Sequence, residues 1–381
     1  MNFSMLPPVG NRIALFGEGV LPEFASYSPV WLDSGTSALA LALILIRERS
    51  KDISNPQVLV PAYGCPDLIA AAIYAKVQPV LVDICPDDPC FNLEDLKSKI
   101  THQTIAVLAV NFLGIRERLN EIRAMLPSYT YLLEDNAQWY PEPNEQCLYG
   151  DFVITSFGRG KPASILGGGL LLIKNDLNCQ ETDYSEYVEA SKDEGFNTPI
   201  SMIFKVLIYN TLLIPFIYYW LLKIPFLHIG ATVFKPLSKI TKMPSWRKRL
   251  LGINLRRYFQ FSSNDVTEQY EKLFSSAPDF DIIAGDMDGR NVKKLRYPIL
   301  CRDGKSRDIF FEKFQELGLG VTKMYQVPLL EIEGVKEVAV ASQSYVNAAT
   351  FAQRLITFPV HTGVSIRYIN RLSKFIEKFN K

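Results

Sequence analysis

Between Phe196 and Asn264 there is not one aspartate or glutamate, although the whole chain carries 40 acids against 41 lysines and arginines. Histidine is scarce as well, with 3 in 381 residues. The six cysteines, Cys65, Cys85, Cys90, Cys147, Cys179 and Cys301, are scattered and form no CxxC pair. Without paired cysteines or a histidine cluster, a zinc site has no ligand set and a disulfide scaffold has no framework. This usage points to a reduced, cytoplasmic protein. The start, "MNFSMLPPVG", lacks a basic region followed by an apolar core and does not read as a signal peptide. Repeats and low-complexity tracts are missing. A formal net charge of +1 gives no global argument for nucleic-acid binding.

What is present is an apolar fraction of 48%, enough for a sizeable core, and a rhythm of short strands and helices. "SGTSALALALILIRER" reads as a tight turn feeding a buried helix, with Ser34 or Thr36 near its N-cap. "QVLVPA", "QPVLVDI", "TIAVLAVNF", "TYLLEDNAQ" and "DFVITSF" read as strands, with helical segments such as "DLIAAAIYAK" and "ERLNEIRAML" between them. "LGGGLLLIK" resumes the strand pattern. That alternation predicts a mostly parallel sheet with helices on both faces, and ligands beyond the C-terminal strand ends. "RYPIL" and "GVKEVAV" look strand-like or loop-adjacent, and "SIRYINRLSKFIEKF" is an amphipathic last helix. The expected division is a large domain over 1–264 and a smaller C-terminal α+β domain over 265–381, to which the N-terminal arm can add.

Chemistry concentrates where the strands end. "LLEDNAQ" leaves Glu134 and Asp135 at one such end; a carboxylate there either caps a turn or faces a pyridine nitrogen and keeps it protonated. In "SFGRGKPASILGGG", Lys161 stands between Ser156 and three glycines. A loop lysine is ordinarily a solvated charge. Here Pro162 restricts it and the flanking glycines permit unusual backbone angles. Such an amine suits an aldehyde cofactor and can move a proton. "SGTSAL" is either a plain N-cap or a phosphate cradle, with Gly35 and Thr36 at a positive helix end and the Ser156 hydroxyl beside them.

Taken in order, "SGTSALALAL", "VLVPAYGCPDLIAAAIYAKVQPVLVDI", "LLEDNAQ", "SFGRGK" with "GGGLLL", and "AQRLITFPVH" resemble the DegT/StrS family of sugar aminotransferases, fold-type-I enzymes of pyridoxal 5'-phosphate (PLP). The resemblance covers most of the chain outside the acid-free stretch. It implies that Lys161 is the Schiff-base lysine, that Asp135 pairs with the pyridine nitrogen, and that Gln138 bonds the phenolic oxygen. Gly35, Thr36 and Ser156 would hold the phosphate. "GINLR", with aliphatic flanks where the family has aromatics, makes Asn254 the residue that reaches the phosphate of a partner subunit, in a homodimer with shared sites. The usual ring-stacking aromatic is replaced by Cys65, which leaves Tyr63 as the alternative. Retention of lysine, where a dehydrating branch has histidine, favours transamination. The implied reaction moves an amino group from an amino acid, often glutamate, to a keto sugar on a nucleotide, in surface polysaccharide or glycolipid synthesis. A lipid-linked or non-sugar acceptor, a dehydratase, and a silent homologue are the alternatives.

The acid-free stretch from Phe196 to Asn264, most of it an insert of about 196–250, joins "VLIYNTLLIPFIYYWLL" to a basic half; the ten lysines and arginines of the whole stretch leave the rest of the chain at −9. It reads as attachment to an anionic membrane surface through residues around 206–249, on the inner face of the cell membrane, or as dimer packing with a basic rim. Pro215, Lys223 and Pro225 interrupt it too often for a simple span.

Overall fold

The computed structural model describes residues 4–141, 148–191, 199–224, 232–262, 264–283, 285, 292–339 and 344–379. Cys147, the start of the insert and residues 225–231 of its apolar half lie outside the described residues.

The central sheet contains β1 (Tyr27–Leu32), β2 (Gln57–Pro61), β3 (Gln78–Val82), β6 (Thr104–Val110), β7 (Tyr131–Asp135), β8 (Phe152–Ser156) and β9 (Gly169–Lys174), in the order β1-β9-β8-β7-β6-β2-β3. β4 (Ile84–Cys85) and β5 (Asp88–Phe91) form a separate ribbon. β3, β2, β6, β7 and β8 are parallel, and β9 alone runs against them, between β8 and β1. Parallel strands covered on both faces need continuous apolar runs, and β6, buried at six of seven positions, is one. β1 escaped the sequence reading because Ser28 and Pro29 break its pattern. Its place at the sheet edge tolerates that proline.

Alternate strand residues build two cores. One face of the sheet carries α1 (Gly35–Arg49) and α2 (Asp67–Tyr74) on Val58, Val60, Leu108 and Ile154. Below Leu59, Val107 and Leu132 lie α3 (Leu93–Lys99) and α4 (Leu119–Met125). Farther along that second face, Val153, Leu170 and Leu172 receive α5 (Pro199–Leu212) and α7 (Ser245–Gln260). Between those two helices sits α6 (Pro215–Leu221), which opens on Pro215 and lies at 91° to α5. Proline lacks the amide that would continue α5, and Ile214 before it is extended, so the chain turns there.

The C-terminal part packs α8 (Asn264–Phe274), α9 (Gly304–Glu316) and α11 (Ile366–Phe379) around the antiparallel sheet β10 (Phe280–Ile282), β11 (Arg296–Cys301) and β12 (Leu355–Pro359). Its core is dense in aromatics, among them Tyr270, Phe274, Tyr297, Phe314 and Phe358. α10 (Val346–Arg354) instead buries Ala348, Phe351 and Ala352 in the core of the large sheet. Residues 334–338, "GVKEV", form turns rather than a strand. The N-terminal arm crosses both parts: Leu6 N donates to Gly318 O at 3.1 Å, and Met5 N to Pro215 O at 3.0 Å. This architecture is that of the fold-type-I PLP transferases.

Candidate active site

β8 and β9 pair through Ser156 and Gly169, so residues 157–168 form a loop at the C-terminal edge of the parallel strands. Phe157 closes it, donating to Gly168 O at 2.8 Å and accepting from Ile165 N at 3.0 Å. Only glycine fits position 169: a Cβ there would sit 2.1 Å from the Ser34 carbonyl oxygen. This close approach sets the lysine loop against the start of α1. On its other side the loop is braced by α5, where the Tyr209 hydroxyl bonds the Ser164 side chain and the Gly160 backbone.

At the end of β7 two adjacent acids face opposite ways, as the pleat requires. Glu134 is fully buried and saturated. It accepts from Tyr149 N at 2.9 Å, Gly150 N at 3.1 Å, Asn136 Nδ2 at 3.1 Å and Asn111 Nδ2 at 3.3 Å. This carboxylate pins the strand end. Asp135 is buried with one hydrogen bond, from Ala137 N at 2.8 Å. Burial pushes its carboxyl above the usual range, the Lys161 ammonium pulls it down, and the Asp67 carboxylate raises it again. Lys161 and Asp135 therefore share one electrostatic environment without forming an ion pair.

The start of α1 completes this edge. Ser34 caps the helix, its Oγ accepting from Ser37 N at 3.1 Å. Gly35 passes so close to Ser156 that a Cβ would lie 2.7 Å from the serine's Cβ. The Thr36 hydroxyl is turned to the exposed Asp67, donating to Oδ2 at 3.2 Å. Asp67, at the head of α2, is a member of this group that the sequence reading missed. Gln138 accepts from Leu113 N at 3.3 Å through Oε1, which leaves its Nε2 as the donor end.

Tyr63 does not cover this group. Its side chain is enclosed by Phe112, Tyr325 and Phe351 with centroids 5.8, 5.9 and 5.1 Å away, and its hydroxyl donates to Tyr325 O at 2.9 Å. The stacking role that Cys65 seemed to leave to Tyr63 is thus ruled out by packing: the ring is already core. Cys65 stays with the group. Burial pushes its thiol up, as does Asp67, against the Lys161 charge, and the Tyr325 hydroxyl bonds its sulfur. Tyr325 was not anticipated. It arrives from a segment 260 residues along the chain, and no local pattern announces it.

Asn254 is placed elsewhere too. The resemblance had it reaching a partner's phosphate, but it lies buried within α7. Its Oδ1 accepts from Ala14 N at 2.8 Å, and its Nδ2 donates to Ala14 O at 3.0 Å and Leu250 O at 2.8 Å. An amide satisfied three times over has nothing left for a phosphate, so that expectation is corrected: Asn254 clamps the N-terminal arm. Replacing it by alanine should leave cofactor binding within about twofold and cost about 2–3 kcal/mol of stability, because buried backbone groups lose partners. Thermal unfolding and proteolysis of the arm would measure this.

A cavity of about 360 Å³ borders the loop at Pro162–Ser164 and includes Asn254, Arg257 and His361, but neither Asp135 nor Lys161. The donor set at the strand ends is the one that fits PLP. A buried, under-bonded carboxylate awaits a cationic partner, an amine stands near it, and small hydroxyl residues line a helix start where a Cβ would collide.

Comparison with known proteins bears on the family and the fold. Over 172 residues the chain is 28% identical to an uncharacterized protein of Methanocaldococcus jannaschii, covering 44% of each. Over 163 residues it is 26% identical to the GDP-perosamine synthase of Vibrio cholerae, covering 41% of this chain and 43% of that one. These alignments thus span less than half of either relative. Among solved structures, the E. coli GDP-4-keto-6-deoxy-D-mannose-3-dehydratase with bound hydrated PLP superposes with a TM-score of 0.68 at 17% identity, over 93% of this chain and 88% of that one. The DegT/DnrJ/EryC1/StrS aminotransferase family matches residues 10–191 and 255–376. The gap is nearly the acid-free insert, and it leaves out Asn254. Matched over most of its length, with the fold and the lysine loop in place, the chain belongs to the DegT/DnrJ/EryC1/StrS aminotransferase family.

Proposed function

We propose that the protein is a PLP-dependent aminotransferase that moves the amino group of an amino acid, glutamate, to a keto sugar carried on a nucleotide, in surface polysaccharide or glycolipid synthesis. It acts as a homodimer, attached to the inner face of the cell membrane. The observation that carries the reading is the meeting of Lys161, Asp135, Gln138, Ser156, Gly35 and Thr36 at one edge of the sheet, from three different strand ends.

Bound at that edge, PLP supplies an electron sink for the carbon that gains or loses the amine. Asp135 holds a proton on the ring nitrogen. Its burial strengthens that pairing, since the carboxylate has no water to compete for it. Lys161 Nζ, as a free amine, would take the proton from the donor Cα and deliver it to the aldehyde carbon of the cofactor, so that the amine is restored. Gln138 Nε2 donates toward the phenolic oxygen. Ser156, with Gly35 and Thr36, would hold the phosphate, for which the Thr36 hydroxyl would have to leave Asp67. Cys65 would lie beside the ring, with Tyr325 bonding its sulfur.

The assay is purified protein with PLP, glutamate labelled at its nitrogen, and a set of nucleotide-linked 4-keto sugars, read by mass spectrometry. The expected product retains the sugar nucleotide and gains the labelled nitrogen. A product that loses an oxygen without gaining nitrogen reassigns the protein as a dehydratase, the activity named for its E. coli structural likeness. Failure with every donor and acceptor sinks the reading.

A further inference from the structure

α5 is apolar on both faces, and only one of them is used. Met202, Val206 and Leu213 are buried at the spacing of an inward face, and Tyr209 lies among them, bonded to the lysine loop. The outward face carries Ile200, Phe204, Leu207 and Ile208, exposed by 68, 63, 50 and 59%. α6 continues it with Phe216 and Trp220, exposed by 57 and 50%. Scattered single apolar residues on a surface are ordinary; six large ones on adjoining faces of one hairpin are not. A helix that is apolar all round belongs in a core or in lipid.

We infer that the α5–α6 hairpin is an interfacial anchor that lies in the surface of an anionic bilayer without crossing it. The mode of binding follows from dimensions. Among the described residues no single helix is long and apolar enough to cross a membrane. α5 has 14 residues, about 21 Å of helix against a hydrocarbon core of about 30 Å. The 91° turn to α6 sends the chain sideways instead of onward. A bent pair of this kind dips into the headgroup region and stays there.

The partner's charge follows from composition. Lys205 on α5 and Lys223 just past α6 are exposed beside the apolar patch, and Lys235 and Arg249 are exposed farther along. No acid occurs between Phe196 and Asn264 to offset them. Lys239, Lys242 and Arg256 of the same stretch are paired with Glu189, Glu181 and Glu18, but Lys205 and Lys223 border the apolar patch itself. A second copy seated on this face would bring these cations against their own kind, whereas a layer of anionic headgroups neutralises them. The hairpin is also held firmly. Asn210 bonds Ile13 in both directions at 2.9 Å, and α6 packs Tyr218 toward the half-buried Arg296 of β11. Lipid contact on the outer face therefore places the lysine loop one helix away from the membrane.

This inference specifies the membrane attachment proposed above, and its test needs neither substrate nor turnover. The PLP-loaded full chain is sedimented with phosphatidylcholine vesicles, with and without phosphatidylglycerol. Pelleting is expected with the anionic vesicles and should weaken as salt rises. Phe204→Gln, Leu207→Gln and Ile208→Gln together should lower the partition coefficient at least about tenfold, with the absorbance of bound PLP and the elution volume unchanged. Lipids brominated near the headgroup should quench Trp220 more than lipids brominated at the chain end, with the signal lost in Trp220→Phe. A wild type that stays in the supernatant, or a triple variant that pellets equally, overturns the anchor. Loss of dimer by the triple variant without any lipid binding assigns the face to a second copy and overturns it too. Stronger quenching from the bilayer centre overturns the in-plane geometry.

Discussion

Lys161→Ala should abolish the visible absorbance of bound cofactor and lower amino transfer by about 10⁴-fold or more, at an unchanged melting temperature. The three expectations separate because of where the lysine sits. Its amide makes the loop's one contact at this position, to Gly158 O at 3.3 Å, and that backbone bond survives truncation. Pro162 after it demands an extended backbone, which alanine adopts as readily as lysine. The side chain forms no ion pair among the described residues, and Asp135 keeps its hydrogen bond from Ala137 N; only the longer-range pull of the ammonium on that carboxyl is lost. What is lost is the amine, and a positioned proton carrier alone accounts for 10²–10⁴ of the rate in many enzymes; loss of the nucleophile adds to that. Lys161→Arg is the informative companion. It keeps a positive charge near Asp135 but has no nucleophilic nitrogen at working pH. Equal loss in both variants assigns the effect to the amine. An arginine variant that keeps the absorbance and most of the rate would mean that charge was the contribution, and the assignment of Lys161 would fall. Added methylamine should restore part of the rate to the alanine variant and none to the arginine variant, whose side chain fills the space.

Much of this edge was legible in the sequence because each contributor is tied to a strand end. Gly35, Thr36, Asp135, Gln138, Ser156 and Lys161 lie within a few residues of apolar runs whose period and bounding turns can be counted. Once the strands are parallel, their ends coincide. Failures occur where the pleat stops or where the partner is remote. Tyr63 stands two residues past β2, where strict alternation has lapsed, so nothing local says that its ring turns into the core. Asn254 is held by Ala14, 240 residues away, and Tyr325 reaches Cys65 across 260 residues. Contacts of that separation leave no periodic trace. Glu134 and Asp135 are a different case. Adjacent residues on a strand face opposite sides, so the pleat alone tells that the two carboxylates look into different surroundings; that Glu134 is saturated and Asp135 is not required the fold. The acid-free insert was legible as a composition, but its amphipathic division into a core face and an outward apolar face required the fold.

Asp135→Asn should make the cofactor-free protein more stable and the enzyme far less active. The carboxyl of Asp135 is raised in the folded state, first by burial. The folded chain therefore keeps a proton that the unfolded chain gives up. By linkage, stability falls as pH rises through the interval between the unfolded value, about 3.9, and the raised folded one, and the full penalty is present above it. Asparagine carries no such penalty, and its Oδ1 still accepts from Ala137 N. The variant without cofactor should gain about 1 kcal/mol at neutral pH. Its advantage in melting temperature should shrink as pH is lowered toward the ordinary carboxylate range. Glu117 and Glu134 are raised by burial as well, but they are common to both proteins and cancel in the difference. With PLP added the order should reverse: the carboxylate then meets the cation it lacks, and the wild type gains more than the variant. Amino transfer should fall about 10²–10⁴-fold, the range that control of a proton supplies. A variant that is destabilised without cofactor at every pH would show Asp135 to be a structural acid like its neighbour. The pairing with the ring nitrogen would then have to be given up, however well the rest of the edge fits.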